Sequence, residues 1–393
     1  MSGTTLVVGA GVFGAAAALE LRHRGHMVVL LDAGPVPHPL AASTDISKVL
    51  RMEYGRDEAY TALMEDAFEG WRRWAREWSA AGEENLYHET GVLMVCRASM
   101  TPGTFEYESW ETLRRRGHRP ERLSADTLTC RFPAWSTGRY VDGFFHRVGG
   151  YAESGKVVAW LVRRAAQDGV TVRTGRMTGL LEENGRVIGV LTAAGAVRAD
   201  RVVLATGAWA GSLLGLTHEI RATGHPVLHF APRDPDRFAP ERFPVFTADV
   251  ARTGLYGFPR NRDGVVKVAL HDAGAAIDPD APRLVTPAQE ARIRALLDET
   301  IPTLAGAEVV YRRLCLYADT QDEDFWIARD PSREGLTVAS GGSGHGFKFA
   351  PVLGRLIADT VEGREHPLAH KFRWRPEVRL SRGTEAARFH GEG

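Results

Sequence analysis

Thr4 to Val8 forms a largely apolar run that leads directly into Gly9-Ala10-Gly11-Val12-Phe13-Gly14. An alanine-rich stretch from Ala15 to Arg24 follows, Gly25 stops it, and a second apolar run from Met27 to Leu31 ends at Asp32. Strand, G-x-G-x-x-G, helix, strand and acid in that order leave few folds open; they define the first βαβ unit of a dinucleotide-binding sheet. Each glycine has a mechanical reason: Gly9 for the tight turn, Gly11 for close approach of a pyrophosphate, Gly14 for packing of helix on strand. The helix N-terminus favours phosphate charge, and Asp32 can accept hydrogen bonds from a ribose diol. The motif alone does not separate FAD from NAD.

A second glycine-rich stretch lies far downstream: Gly341-Gly342-Ser343-Gly344-His345-Gly346-Phe347-Lys348. Four glycines in eight residues cannot fill a core, but they let backbone N–H groups approach a ligand closely. The short apolar run Leu336 to Ala339 precedes the loop, and Leu353, Leu356 and Ile357 follow at helical spacing, with Pro351 suited to a first turn. This is again strand, glycine loop, helix. Between the two motifs, Arg201 to Leu204 reads as a buried strand ending in Ala205-Thr206-Gly207.

With 393 residues, two lobes are expected rather than one core. The predicted nucleotide-binding domain is discontinuous, 1–90, 146–218 and 318–375. A second domain, rich in alternating strands, takes 91–145 and 219–317. The charged stretch 376–393 is expected to be a loosely held tail. Leu63 to Trp78 reads as an amphipathic helix whose Trp71, Trp74 and Trp78 belong to the core. Glu183-Asn184-Gly185 marks a hairpin turn, and Tyr256 to Pro259 with Val265 to His271 forms another hairpin in which Lys267, Ala269 and His271 share one face. Basic and acidic residues balance at 49 each, which gives no reason to expect nucleic acid or an acidic membrane as partner. Three cysteines, no secretory signal and no membrane-spanning apolar run predict a soluble cytoplasmic protein.

Only five of the 49 basic residues are lysine: Lys48, Lys156, Lys267, Lys348 and Lys371. Where an arginine-biased chain keeps lysine, a compact and tunable ammonium is a candidate requirement. Together with Cys315-Leu316-Tyr317-Ala318-Asp319-Thr320 and Ser343 to Lys348, the pattern resembles the glutathione-reductase-like FAD folds. More narrowly it resembles the D-amino-acid-oxidase superfamily, in the branch of sarcosine, N-methyltryptophan, pipecolate and fructosyl-amine oxidases. The resemblance covers roughly residues 4 to 375. It implies an α/β, two-lobed α+β chain: a Rossmann FAD domain with an inserted, mostly antiparallel β-sheet substrate domain.

The resemblance also implies site residues. Gly9, Gly11, Val12, Phe13, Gly14, Asp32, Ala33, Ser43, Thr44 and Lys48 would contact FAD, as would Val172, Ala205, Thr206 and Gly207. So would Gly342, Gly344, His345, Gly346, Phe347 and Lys348. Cys315 would bond its sulfur to the flavin 8α carbon. Lys267 would stabilise the superoxide formed on reoxidation by dioxygen. Arg51 and Lys348 would clamp a substrate carboxylate, with Tyr317, His271, Tyr256 and Lys48 completing the catalytic set. The implied reaction is oxidation of a secondary amino acid to an imine with release of hydrogen peroxide, by a monomer that needs no metal. Two departures leave the substrate open: Lys48 stands where sarcosine oxidase has arginine, and Ala42-Ser43-Thr44-Asp45 replaces a histidine-rich lead-in. A fructosyl-amino-acid oxidase, a biosynthetic tailoring oxidase, a dehydrogenase and a flavin-binding protein without turnover are the competing expectations.

Overall fold

The computed structural model describes residues 3–136, 138–380 and 383–391. Thr4–Val8 lies inside a six-stranded sheet of order Trp326–Arg329, Leu336–Ser340, Arg201–Leu204, Thr4–Val8, Met27–Asp32, Thr171–Thr174. Five strands are parallel and Trp326–Arg329 is the antiparallel edge. The three glycine-bearing turns therefore leave the same end of the sheet, because Thr4–Val8, Arg201–Leu204 and Leu336–Ser340 are parallel neighbours. Their near-continuous apolar sequence reflects a sheet covered on both faces. Helices Val12–His23, Ser154–Gln167 and Ala350–Glu362 cover one face. An antiparallel meander, Met177–Glu183, Arg186–Thr192 and Gly195–Arg198, covers the other. Its first turn has left-handed Asn184 and Gly185, the conformation that tight hairpins favour.

The second sheet has nine strands and is mostly antiparallel; its parallel pair is Val92–Cys96 with Val245–Ala248. It draws on Val92–Cys96, Glu121–Ser124 and Asp142–His146 from one part of the chain and on strands between Ile220 and Thr320 from another. Ile220–Ala231 is its long spine, paired with Glu308–Thr320 on one side and Val266–Leu270 on the other. Those two neighbours carry Cys315 and Tyr317, and Lys267. The helix Glu58–Ala80 is longer than its periodic stretch, and Trp71, Trp74 and Trp78 are buried in the core as expected.

The expectation of a loosely held tail is not met where the tail is described; residues 381, 382, 392 and 393 lie outside the described residues. Ala387 and Arg388 are buried. Arg388 donates to both oxygens of buried Asp319 at 2.9 and 2.6 Å and to the Asp272 carbonyl at 2.8 Å. Phe389 N–H donates to the His271 carbonyl at 3.0 Å. Charge density suggested solvation, but these charges answer buried carboxylates that need a cation.

Candidate active site

The ends of the parallel strands open on a cavity of about 470 Å³. Gly9, Gly11, Val12 and Phe13 form one wall, with Asp32, Ala33 and Ser43 beside them. Ala205, Thr206 and Gly207 form a second, and Gly342, Gly344, Gly346 and Phe347 a third; Lys48 and Tyr317 border the same space. Asp32 sits at the end of its strand and accepts from Ala10 N–H at 2.6 Å and Gly34 N–H at 3.1 Å. Ser43 Oγ accepts from Val12 N–H at 3.2 Å, which ties the following loop to the helix start. Gly14 faces the strand rather than the cavity: a Cβ there would run into the Gly9 carbonyl oxygen. A Cβ on Gly344 would strike the Tyr317 ring, so the loop can lie against that side chain only as glycine.

These residues fit FAD. The wall offers glycine backbone, a helix N-terminus and a strand-end carboxylate, and the buried hydroxyl oxygen of Thr206 on it has no partner. Of the predicted contacts, Val172 is not brought to the cavity: it is 39% exposed on the edge strand, and Gly175, Arg176 and Met177 line the wall in its place. Thr171–Thr174 is the outermost strand of the sheet and is exposed along its whole length. Thr44, Cys315, His345 and Lys348 lie behind the wall rather than on it.

On one flank lies a buried ion pair. Lys267 Nζ donates to Asp45 Oδ2 at 2.7 Å and to the Ser47 carbonyl at 2.5 Å, and stands 4.7 Å from the Phe258 ring centroid. Burial pulls the Lys267 ammonium down to about 8 against the opposing charge of Asp45. Burial alone would raise the Asp45 carboxyl, but Lys267 holds it well below the usual range, so both are charged at neutral pH. Lys48 Nζ lies 3.9 Å from Asp45 and 3.9 Å from Cys315 Sγ. Cys315 is buried, and Tyr256 packs against it and against Tyr317. Burial raises both tyrosine hydroxyls, so they stay protonated.

On the other flank the two predicted clamp cations meet around Tyr54. Arg51 is buried, with its guanidinium 5.2 Å from the Tyr54 ring centroid and donating to the Glu53 carbonyl. Lys348 Nζ donates to Tyr54 Oη at 2.9 Å. Burial and then the Arg51 charge hold the Lys348 ammonium well below its ordinary value. Tyr54 Oη in turn meets His345 Nδ1 at 3.1 Å, while His345 Nε2 faces the Glu323 carbonyl at 3.0 Å. A carbonyl only accepts, so Nε2 carries the proton and Nδ1 receives the tyrosine hydroxyl. Burial brings His345 down to about 4, which keeps it neutral in this role. Trp71 Nε1 donates to the Lys348 carbonyl at 2.7 Å, so the core helix holds the end of the glycine loop.

His271 sits beside this clamp, its ring 6.1 Å from that of Tyr317. Its Nε2 lies 2.6 Å from Glu385 Oε2, and Glu385 Oε1 is 3.4 Å from Arg51 Nη2. Sequence reasoning missed Tyr54, Asp45 and Glu385. Tyr54 follows Arg51 by three residues and Asp45 stood out as a departure from the family pattern; Glu385 carried no signal.

The fold and this site define a two-lobed flavin enzyme with largely buried basic side chains, Arg51 with Lys348 and Lys267 with Lys48, beside its cofactor cavity. The chain belongs to the DAO family, described as FAD dependent oxidoreductase, whose model matches residues 4–360. It is 28% identical over 359 residues to monomeric sarcosine oxidase of Bacillus sp. (strain B-0618), covering 90% of each chain. It is 27% identical over 422 residues to L-saccharopine oxidase of Schizosaccharomyces pombe, covering 97% of this chain and 95% of that one. The crystal structure of the deglycating enzyme fructosamine oxidase from Aspergillus fumigatus (Amadoriase II) in complex with FSA superposes with a TM-score of 0.83 at 28% identity, covering 99% of this chain and 94% of that one. Among the described residues, no helix is long and apolar enough to cross a membrane, and no group of three or more His, Cys, Asp or Glu could hold a metal ion.

Proposed function

We propose that this protein oxidises the C–N bond of a secondary amine, an N-alkyl or cyclic amino acid, to an imine, with dioxygen as the final acceptor and hydrogen peroxide as the second product. The observation that carries the reading is the pair of buried basic centres beside one cavity, Arg51 with Lys348 around Tyr54 and Lys267 with Lys48 around Asp45. The relatives' names, sarcosine, saccharopine and fructosamine oxidases, support it. Bound FAD supplies the two-electron acceptor that dioxygen regenerates.

The chain's own residues do the rest. Arg51 and Lys348 hold the substrate carboxylate through charge-assisted bonds in a water-poor pocket, which fixes orientation. The same positive charges disfavour a protonated amine, and only the neutral amine has the lone pair that drives oxidation. Tyr317, Tyr256 and His271 wall the amine side. Lys267 supplies positive charge where dioxygen becomes negative. Cys315 would hold FAD through a covalent bond from its sulfur, which is buried and next in sequence to Leu316 and Tyr317 on the cavity wall. The enzyme works as a cytoplasmic monomer on small molecules. A fructosyl amino acid is the second reading, favoured by the TM-score of 0.83 to fructosamine oxidase.

A peroxide-coupled screen of sarcosine, proline, pipecolate, N-methyl amino acids and fructosyl amino acids tests the proposal. Peroxide with one of the first four supports the main reading, and peroxide with fructosyl amino acids alone selects the second. Flavin bleaching without oxygen uptake would replace oxidase by dehydrogenase.

A further inference from the structure

The clamp assigned to a substrate carboxylate already holds a carboxylate of the chain itself. Glu385 reaches His271 Nε2 at 2.6 Å and Arg51 Nη2 at 3.4 Å, and its side chain is 5% exposed. Burial alone would raise the Glu385 carboxyl, but its hydrogen bond to His271 and the Arg51 charge hold it well below the usual carboxylate range. The backbone around it is pinned. Glu385 N–H donates to Glu323 Oε2 at 2.8 Å, Thr384 Oγ1 to the Asp322 carbonyl at 2.5 Å, and Arg388 binds Asp319 three residues on. A buried acid brought against a buried arginine and a buried histidine by a separately anchored segment is a ligand of that pair.

We infer that Glu385 is an internal carboxylate ligand of Arg51 and His271 at the edge of the clamp, and that it sets specificity by admitting only substrates whose own carboxylate displaces it. This rests on the carboxylate-clamp reading above. Arg388 and Glu323 keep the backbone in place, so the exchange needs rotation of one side chain, not release of the segment. It swaps one ion pair for another: the incoming carboxylate takes the donors on Arg51 and His271, and Glu385 takes up water. A ligand with a single weak carboxylate contact loses this competition, whereas one that also engages Lys348 or the amine side wins it. The device would keep small free carboxylates from filling the site.

The test is acetate binding to the full-length FAD-loaded protein, measured by calorimetry and by perturbation of the flavin spectrum, in the parent, in Glu385→Gln and in Glu385→Ala. Glutamine keeps the shape and removes the charge, so it guards against misfolding; native flavin absorbance and elution volume confirm integrity. The expected result is an acetate Kd lowered about tenfold or more in both variants, the value of one charge-assisted hydrogen bond. An unchanged or higher Kd overturns the inference. Acetate binding does not depend on turnover. If acetate tightens while no amine is oxidised, the amine-oxidase reading falls and Glu385 keeps its role. If amines are oxidised and acetate is indifferent to residue 385, the reverse holds.

Discussion

Lys267→Met separates what Lys267 does for the fold from what it does for oxygen. The Lys267 and Asp45 side chains are 1% and 2% exposed, so solvent screens neither. Removing one member of such a pair costs about 3–5 kcal/mol, because the other is left charged in a poor solvent. Asp45 keeps two fallback partners, His229 Nε2 at 3.5 Å and Lys48 Nζ at 3.9 Å. They place the expected loss near the low end, about 3 kcal/mol in urea or thermal unfolding. Lys267→Met with Asp45→Asn removes both charges and should recover most of that loss. Stopped-flow spectroscopy then follows the two half-reactions apart. Both variants should reoxidise slowly with dioxygen, the double variant included, while anaerobic reduction by substrate changes far less. The reasoning fails if the single variant is as stable as the parent, or if the double variant is no more stable than the single. It fails on the chemical side if both half-reactions slow alike.

Three further outcomes are expected. Cys315→Ser should release yellow FAD into the supernatant on acid precipitation, whereas the parent keeps it in the pellet. The oxidative half-reaction should decline as pH rises through about 8, because a lysine is charged only below its pKa and burial has lowered that of Lys267; in Lys267→Met this limb should vanish. Arg388→Met should destabilise the protein by about 3–5 kcal/mol, since it strands buried Asp319, and a melt within 1 °C of the parent would restore the picture of a dispensable tail.

The nucleotide-binding lobe was legible because its determinants are local. Gly9, Gly11, Gly14 and Asp32 act within one βαβ unit, and backbone geometry demands those residue types at those spacings. Lys267 and Cys315 could be picked out from a strand pattern and a short motif. Their partners could not, since Asp45 and Lys267 are 222 residues apart and nothing in either segment announces the pairing. Val172 failed for the opposite reason: a strand was correctly placed, but which face met the ligand depended on where the edge of the sheet fell. Glu385 was the hardest to read. A charged stretch looks solvated until the buried acids it answers, Asp319 and Glu323, are found at the other end of the fold.

The order of the parallel sheet has a consequence for how the enzyme is made. Val8 pairs with Leu204, and Leu204 with Val338, so the walls of one cofactor cradle come from the beginning, middle and late part of the chain. Such distant pairings form slowly and leave unpaired strand edges exposed in the meantime. Of these three strands Thr4–Val8 is made before the others, yet it waits for two later neighbours. FAD bound in this cradle would meet all three walls at once and would bind only the assembled state, so it would pull the equilibrium toward that state by mass action. Yield of folded protein should therefore follow riboflavin supply during expression, and growth at lower temperature with added riboflavin should raise the soluble fraction before any effect on turnover is measured.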